Sequence, residues 1–127
     1  MNTHTPTPFS ELSLVSLGGI LRLTQIIEDF YTRLLKDPMI GFYFKPFSKE
    51  QLIQGQVEFV RRVFGDRSGT YELRPLLQVH APFSLLPGQI ARRFQILKET
   101  LKDWEVDPET TNRWLTADQK IGKTLTQ

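Results

Sequence analysis

The stretch from Ile20 to Leu35 repeats its apolar residues at the period of an α-helix. Leu23, Ile26, Ile27, Phe30, Tyr31, Leu34 and Leu35 share one face of that period. No segment of any length alternates apolar and polar residues as a half-buried strand would. A helix with so wide an apolar face and no sheet to cover it must bury that face against other helices. An all-α fold is therefore expected.

Prolines and glycines divide the rest into further helical blocks. Lys36-Asp37-Pro38 ends the long helix, because a residue before proline is pushed out of the α region. A short helix over Phe9–Ser16 is expected ahead of it, ending at Gly18-Gly19, a pair that suggests a close helix crossing. Phe42-Tyr43-Phe44-Lys45-Pro46-Phe47 reads as an aromatic connection. Ser48 and Gln51 form a capping box for a helix running to about Phe64 and stopping at Gly65. Asp66–Leu76 reads as irregular. Pro87 suits the first turn of another helix, whose apolar stripe is Ile90, Phe94, Leu97, Leu101 and Trp104. Asp107-Pro108-Glu109 opens a last, weakly amphipathic helix carrying Trp114, Leu115, Ile121 and Leu125.

Composition narrows the function classes. A length of 127 residues suits one domain, read here as a flexible tail over 1–8 and a folded domain over 9–127. Nine Phe, three Tyr and two Trp are enough for a substantial core. A net charge of +2 gives no electrostatic case for nucleic acid. No apolar run approaches the roughly 20 residues that span a bilayer, so no membrane is expected. Met1–Thr7 lacks the basic start and apolar centre of a signal peptide, and a cytoplasmic location is the expectation. Cysteine is absent, which excludes disulfides and thiolate zinc sites.

Three residues stand out against this background. Tyr31 lies four residues after Ile27 and three before Leu34, on their buried face. Gln56 lies at the centre of the stripe Leu52, Phe59, Val60 and Val63. A buried hydroxyl or amide without a partner costs about 1–3 kcal/mol, so each needs one: the other, a water, the backbone or a ligand. His80, in the apolar segment Leu76-Leu77-Gln78-Val79-His80-Ala81-Pro82-Phe83, is one of two histidines, the other being His4 in the tail. It can be a metal ligand, a general base or a histidine packed near a core. Taken singly, each of the three has an ordinary structural reading. Together they put a metal ligand and two hydrogen-bond donors in an apolar, aromatic setting, which suits a bound metal carrying a small polar diatomic. Rival constellations are weaker. Two histidines cannot build a multi-histidine metal site. There is no Gly-x-Ser-x-Gly turn and no phosphate-cradling loop. The pairs Arg61-Arg62 and Arg92-Arg93 read most simply as solvated helix faces, although one pair could reach an anionic group of a cofactor.

These residues, in this order, resemble the truncated haemoglobins, short bacterial globins with a two-over-two helical sandwich. The resemblance spans Leu17 to Trp104. It rests on Leu17-Gly18-Gly19-Ile20, on Glu28-Asp29-Phe30-Tyr31-x-Arg33-Leu34-Leu35-x-Asp37, on Phe44, on Gln56-Val57-Glu58-Phe59, and on Gln78-Val79-His80. It implies haem b as cofactor, with His80 as the proximal iron ligand. It implies Tyr31 and Gln56 as distal donors, Leu52 as the apolar residue facing the sixth coordination position, and Phe44 wedged against the porphyrin. Phe59, Val79, Phe83, Phe94 and Leu97 complete the implied haem lining. Oxygen, nitric oxide and carbon monoxide are the implied ligands, with nitric oxide dioxygenase or peroxidase-like chemistry and a reductase partner as extensions. Two departures matter. Tyr31, Leu52 and Gln56 look like one branch of the family (group I), whereas His80-Ala81-Pro82-Phe83 looks like another (group II). Val60 stands where a tunnel-gating phenylalanine is common. A gas sensor acting through a protein partner, and a haem-less globin fold, are the alternative readings.

Overall fold

Helix α1 (Gly19–Lys36) is entered through two glycines that both take left-handed backbone angles, Gly18 at φ 89° and Gly19 at φ 90°. Such angles cost residues with a side chain about 1 kcal/mol or more. A Cβ on Gly18 would also lie 2.2 Å from Cδ of Arg22, while one on Gly19 would meet nothing within 4 Å. The pair therefore serves the turn into α1, while the close helix crossing expected from sequence involves a preceding segment that lies outside the described residues.

The protein is described by a computed structural model over residues 17–63 and 86–125, with side chains given through Lys120. The expected tail, the helix over Phe9–Ser16, the irregular Asp66–Leu76 segment, and Val79, His80 and Phe83 lie outside the described residues. Within them the fold is all-helical: α1, α2 (Gly41–Phe44), α3 (Lys49–Val63), α4 (Pro87–Asp103) and α5 (Pro108–Leu125).

Each boundary has a local cause. Asp37 ends α1 and turns the chain into α2: its Oδ1 accepts the backbone N–H groups of Met39 (2.9 Å) and Ile40 (3.3 Å). Gly41 lets α2 tuck under the end of α1, since a Cβ there would lie 2.5 Å from the Leu35 carbonyl oxygen. The aromatic connection thus contains a helical turn that sequence periodicity could not show in four residues. Ser48 Oγ accepts the Gln51 N–H at 3.3 Å, the N-terminal half of the expected capping box. Gln89 Oε1 accepts the Leu86 N–H at 2.9 Å and fixes the start of α4 ahead of Pro87. Asp107 Oδ1 accepts the Thr110 N–H at 2.9 Å and caps α5.

Helix α1 packs on α3 and α4, and α5 packs on α4 and α3, so the four long helices close a ring of pairwise contacts. Leu23, Ile26, Ile27, Phe30 and Leu34 of α1 are fully buried at its centre, with Val60 of α3, Leu97 and Leu101 of α4 and Trp114 of α5. Val63, expected inside, is only half-buried. The α1–α4 crossing carries a polar clasp. Trp104 Nε1 donates to Asp29 Oδ2 at 2.8 Å, and Arg33 bridges Asp29 (3.0 Å) and Asp103 (2.9 Å). Arg22 stacks 5.4 Å from the Trp104 ring centre and donates to the Trp104 carbonyl.

Three carboxyls are held below the usual aspartate value of 3.8. For Asp29 and Asp37 burial pushes upward. Stronger together are the hydrogen bonds from Arg33 and Trp104 to Asp29, and from Arg92 and the Met39 backbone to Asp37. For Asp107 the Thr110 hydrogen bonds dominate. A depressed carboxyl contributes stability that is complete above its unfolded value and disappears as pH falls through its folded one. Urea midpoints should therefore stay level between about pH 6 and pH 5 and fall below about pH 4. Asp37→Asn should flatten that fall; an unchanged acid profile in this variant would contradict the assignment. Asp107→Ala should cost about 1 kcal/mol at neutral pH through loss of the cap, read by urea unfolding.

Candidate functional site

Helix periodicity places the key polar residues inside. Tyr31 is 1% exposed on the buried face of α1, and Gln56 is 1% exposed on the buried face of α3, the helix that packs against it. Leu52 and Phe59 are buried on either side of Gln56 in the same stripe. Phe44, at the end of α2, is buried with its ring edge-on to Tyr31, centroids 6.3 Å apart at 69°. The Phe30 ring lies 5.2 Å from Tyr31 on the same helix. Tyr31, Phe44, Leu52, Gln56 and Phe59, drawn from three elements, all belong to the buried interior. Leu97 is fully buried, but Phe94 is only half-buried. Val79, His80 and Phe83 lie outside the described residues, so the geometry of the site is that of the side expected to be distal.

The decisive polar atom is Gln56 Nε2. It is buried and has no hydrogen-bond partner among the described residues. A buried amide donor is normally satisfied, and leaving one unsatisfied costs about 1–3 kcal/mol. An unmet donor held in an apolar wall is what a site for a hydrogen-bond-accepting ligand requires before the ligand arrives.

Arg93, a residue expected from sequence on a solvated face of α4, also turns inward. The Arg93 side chain is instead 13% exposed and points inward. Its Nη1 meets Asp118 Oδ1 of α5 at 2.6 Å, and its guanidinium lies 5.2 Å from the Phe30 ring centre. Burial pushes the guanidinium pKa down, but the Asp118 carboxylate and Tyr31 push it further up, so Arg93 is firmly cationic. The other three expected surface arginines split. Arg92, partly exposed, pairs with the buried Asp37 at 2.8 Å, Arg61 pairs with Glu58 at 3.0 Å, and Arg62 is half-buried.

The signal for Arg93 is present in the sequence. It stands three before Ile96, four before Leu97, seven before Thr100 and eight before Leu101, all of them buried. Asp118 likewise ends the buried series Thr110, Trp114, Asp118 at steps of four. Two polar members make that face of α5 look weakly amphipathic. Among the described residues no group of three or more His, Asp or Glu could hold a metal, and no helix is long and apolar enough to cross a membrane.

A ring of four long helices thus buries a tyrosine, an edge-on phenylalanine and a glutamine whose Nε2 has no partner among the described residues in one interior. A family model described as bacterial-like globin matches residues 15–126, and the chain belongs to that family. Globin-type haem and gas binding comes with this membership.

The orphan donor gives a direct stability test. Gln56→Leu removes an unmet buried polar group at nearly constant volume. It should raise the unfolding free energy of the haem-free protein by about 1 kcal/mol. A loss of stability would mean that Gln56 Nε2 is satisfied and has no spare hydrogen bond to offer.

Proposed function

We propose that this chain binds haem b through His80 and holds a small diatomic gas, oxygen above all, against Tyr31 and Gln56. The observation that carries the reading is the buried Gln56 amide, whose Nε2 finds no acceptor among the described residues. The haem-less alternative would have Tyr31 and Gln56 satisfy each other, and that orphan donor counts against it. The residues on the distal side fit the cofactor: an apolar wall of Leu52, Phe44 and Phe59 with two donors set into it.

When bound, the haem iron supplies a site at which oxygen gains partial negative charge. The chain's own residues decide how firmly that oxygen is held. Leu52, Phe44 and Phe59 keep the pocket dry, which strengthens every hydrogen bond made within it. Tyr31 donates its hydroxyl proton and Gln56 its amide N–H toward the ligand. Carbon monoxide accepts hydrogen bonds poorly and gains less from the same donors. Hydrogen bonds to charged groups are worth about 1.5–3 kcal/mol each, and about 1.4 kcal/mol is tenfold in affinity. A site with two such donors releases oxygen slowly. Retention of this kind suits reaction more than delivery. Nitric oxide dioxygenation fits it: nitric oxide, oxygen and one electron give nitrate, with the electron returned by a reductase. The same pocket accepts nitric oxide itself and carbon monoxide.

Tyr31→Phe and Gln56→Leu in the haem-loaded protein should each speed oxygen dissociation about tenfold or more and leave carbon monoxide association nearly unchanged. Stopped-flow displacement of oxygen measures the first, flash photolysis the second. Wild-type oxygen kinetics in both variants would refute the distal assignment.

A further inference from the structure

We infer that the outer side of α2, with Met39 and Phe42 at its centre and Lys36, Lys45 and Lys49 around them, is a docking surface for an acidic one-electron carrier protein. This role rests on the haem site proposed above, to which the carrier brings its electron.

Two large apolar side chains face outward here. Met39 is 48% exposed and Phe42 57% exposed, while Ile40, Gly41 and Phe44 between and beside them are buried. Met39 and Phe42 stand three residues apart, so one helical turn puts them on the same side. Met39 also reaches the first turn of α4. A Cβ on Gly88 would lie 3.6 Å from its Cε, and Leu86, likewise exposed, opens that turn. Single exposed apolar residues are ordinary, whereas grouped ones mark contact surfaces.

The charge around them selects the partner. Lys45 follows Phe42 by three residues with helical backbone angles, which continues the same side. Lys49 Nζ donates to Thr32 Oγ1 at 2.9 Å, which brings it to α1 one turn before Lys36. All three lysines are exposed, and none forms an ion pair among the described residues. From Lys36 to Lys49 the only acid is Asp37, which is buried and paired with Arg92 at 2.8 Å. The first exposed acid is Glu50. An apolar centre with a cationic rim is complementary to an acidic surface. It suits a second copy of this chain poorly, because a two-fold contact sets each patch against itself and brings like charges together. It suits a membrane poorly too, since α2 has only 4 residues and offers no long apolar helix face to bury in lipid. Electron-transfer encounters are small, below roughly 1,200 Å², and are steered by charge.

The same short helix serves the site on its inner side. Phe44 is buried with its ring edge-on to Tyr31, centroids 6.3 Å apart, two residues from the exposed Phe42. A carrier seated on Phe42 is separated from the interior by one turn of helix. The step is a single electron: the reduced carrier loses it, and ferric haem becomes ferrous. No bond is made or broken.

The test mixes the haem-loaded ferric protein with reduced plant-type [2Fe–2S] ferredoxin, an acidic one-electron donor, in a stopped-flow instrument. Binding of the oxidised ferredoxin is measured separately by titration calorimetry. Lys45→Glu with Lys49→Glu should lower the second-order reduction rate about tenfold or more at about 0.01 M salt, and weaken binding in step. At about 1 M salt, where charges act over only about 3 Å, the gap should close to within about twofold. Lys98→Glu with Lys102→Glu makes the same change of charge at exposed positions of α4, and should cost less than about threefold. Phe42→Ser should slow reduction at both salt concentrations. Dithionite, which needs no docking surface, should reduce every variant within about twofold of wild type.

Equal losses in the two charge-reversed pairs would mean that net charge alone matters, and would overturn the inference. A parallel loss with dithionite would place the effect in the haem site, and would overturn it as well. So would wild-type protein that binds phosphatidylserine vesicles through these lysines and does not bind ferredoxin. If wild-type protein takes up haem and Tyr31→Phe alters oxygen release, but Lys45→Glu with Lys49→Glu is reduced like wild type, this inference fails and the proposed function stands. If no form takes up haem, both fail together.

Discussion

Helix α1 has to bury one wide apolar face against three neighbours at once, and most of the fold depends on how it does so. Its centre, Leu23, Ile26, Ile27, Phe30 and Leu34, has no exposed area. The helix packs on α2, α3 and α4. Its two ends are fixed by backbone chemistry: the left-handed glycines at the start, and Asp37 turning the chain into α2. Asp29 and Arg33, on the less buried side, tie it to the end of α4 through Trp104 and Asp103. Tyr31 is carried into the interior because it sits in the apolar register of this helix. The candidate site is thus a by-product of the strongest packing constraint in the chain.

The polar groups inside fall into two kinds. Thr100 is satisfied within its own helix by the Ile96 carbonyl at 2.7 Å, and Arg93 and Asp118 satisfy each other. These have structural explanations. Gln56 Nε2 has none among the described residues, and neither has Trp114 Nε1; of these two, Gln56 lies in the stripe between Leu52 and Phe59, on the helix packed against the one that carries Tyr31. Evolution of a stable core would favour leucine at such a position, since the amide adds desolvation cost without a compensating bond. A residue that sacrifices stability in this way is the ground for the ligand-contact role proposed for Gln56.

The long periodic elements are legible in the sequence because burial and period carry the same information. That holds for α1, for α3, and for the starts of α4 and α5, where Pro87 and Asp107-Pro108 act as local signals. Tyr31 and Gln56 are legible for the same reason, as polar residues in apolar registers. Other features are obscured by residue type. Arginine is read as solvent-facing, which masks the register that Arg93 shares with Ile96, Leu97, Thr100 and Leu101. Asp118 is hidden because its face of α5 mixes Thr110 with Trp114. The turn of α2 is too short for any period to show, and depends on Gly41 approaching the Leu35 carbonyl. In each case the missing information is a pairing between segments that no single helix displays.

The proposed function turns on His80 as the protein ligand to the haem iron, with Tyr31 and Gln56 proposed to act on the bound gas from the opposite face. The most direct measurement is the optical spectrum of the purified protein mixed with haem, in ferric, ferrous and carbon monoxide forms. The account predicts a Soret band that shifts on reduction and again with carbon monoxide, and that His80→Ala abolishes or displaces. A protein that shows no Soret band, or one that His80→Ala leaves unchanged, would contradict it.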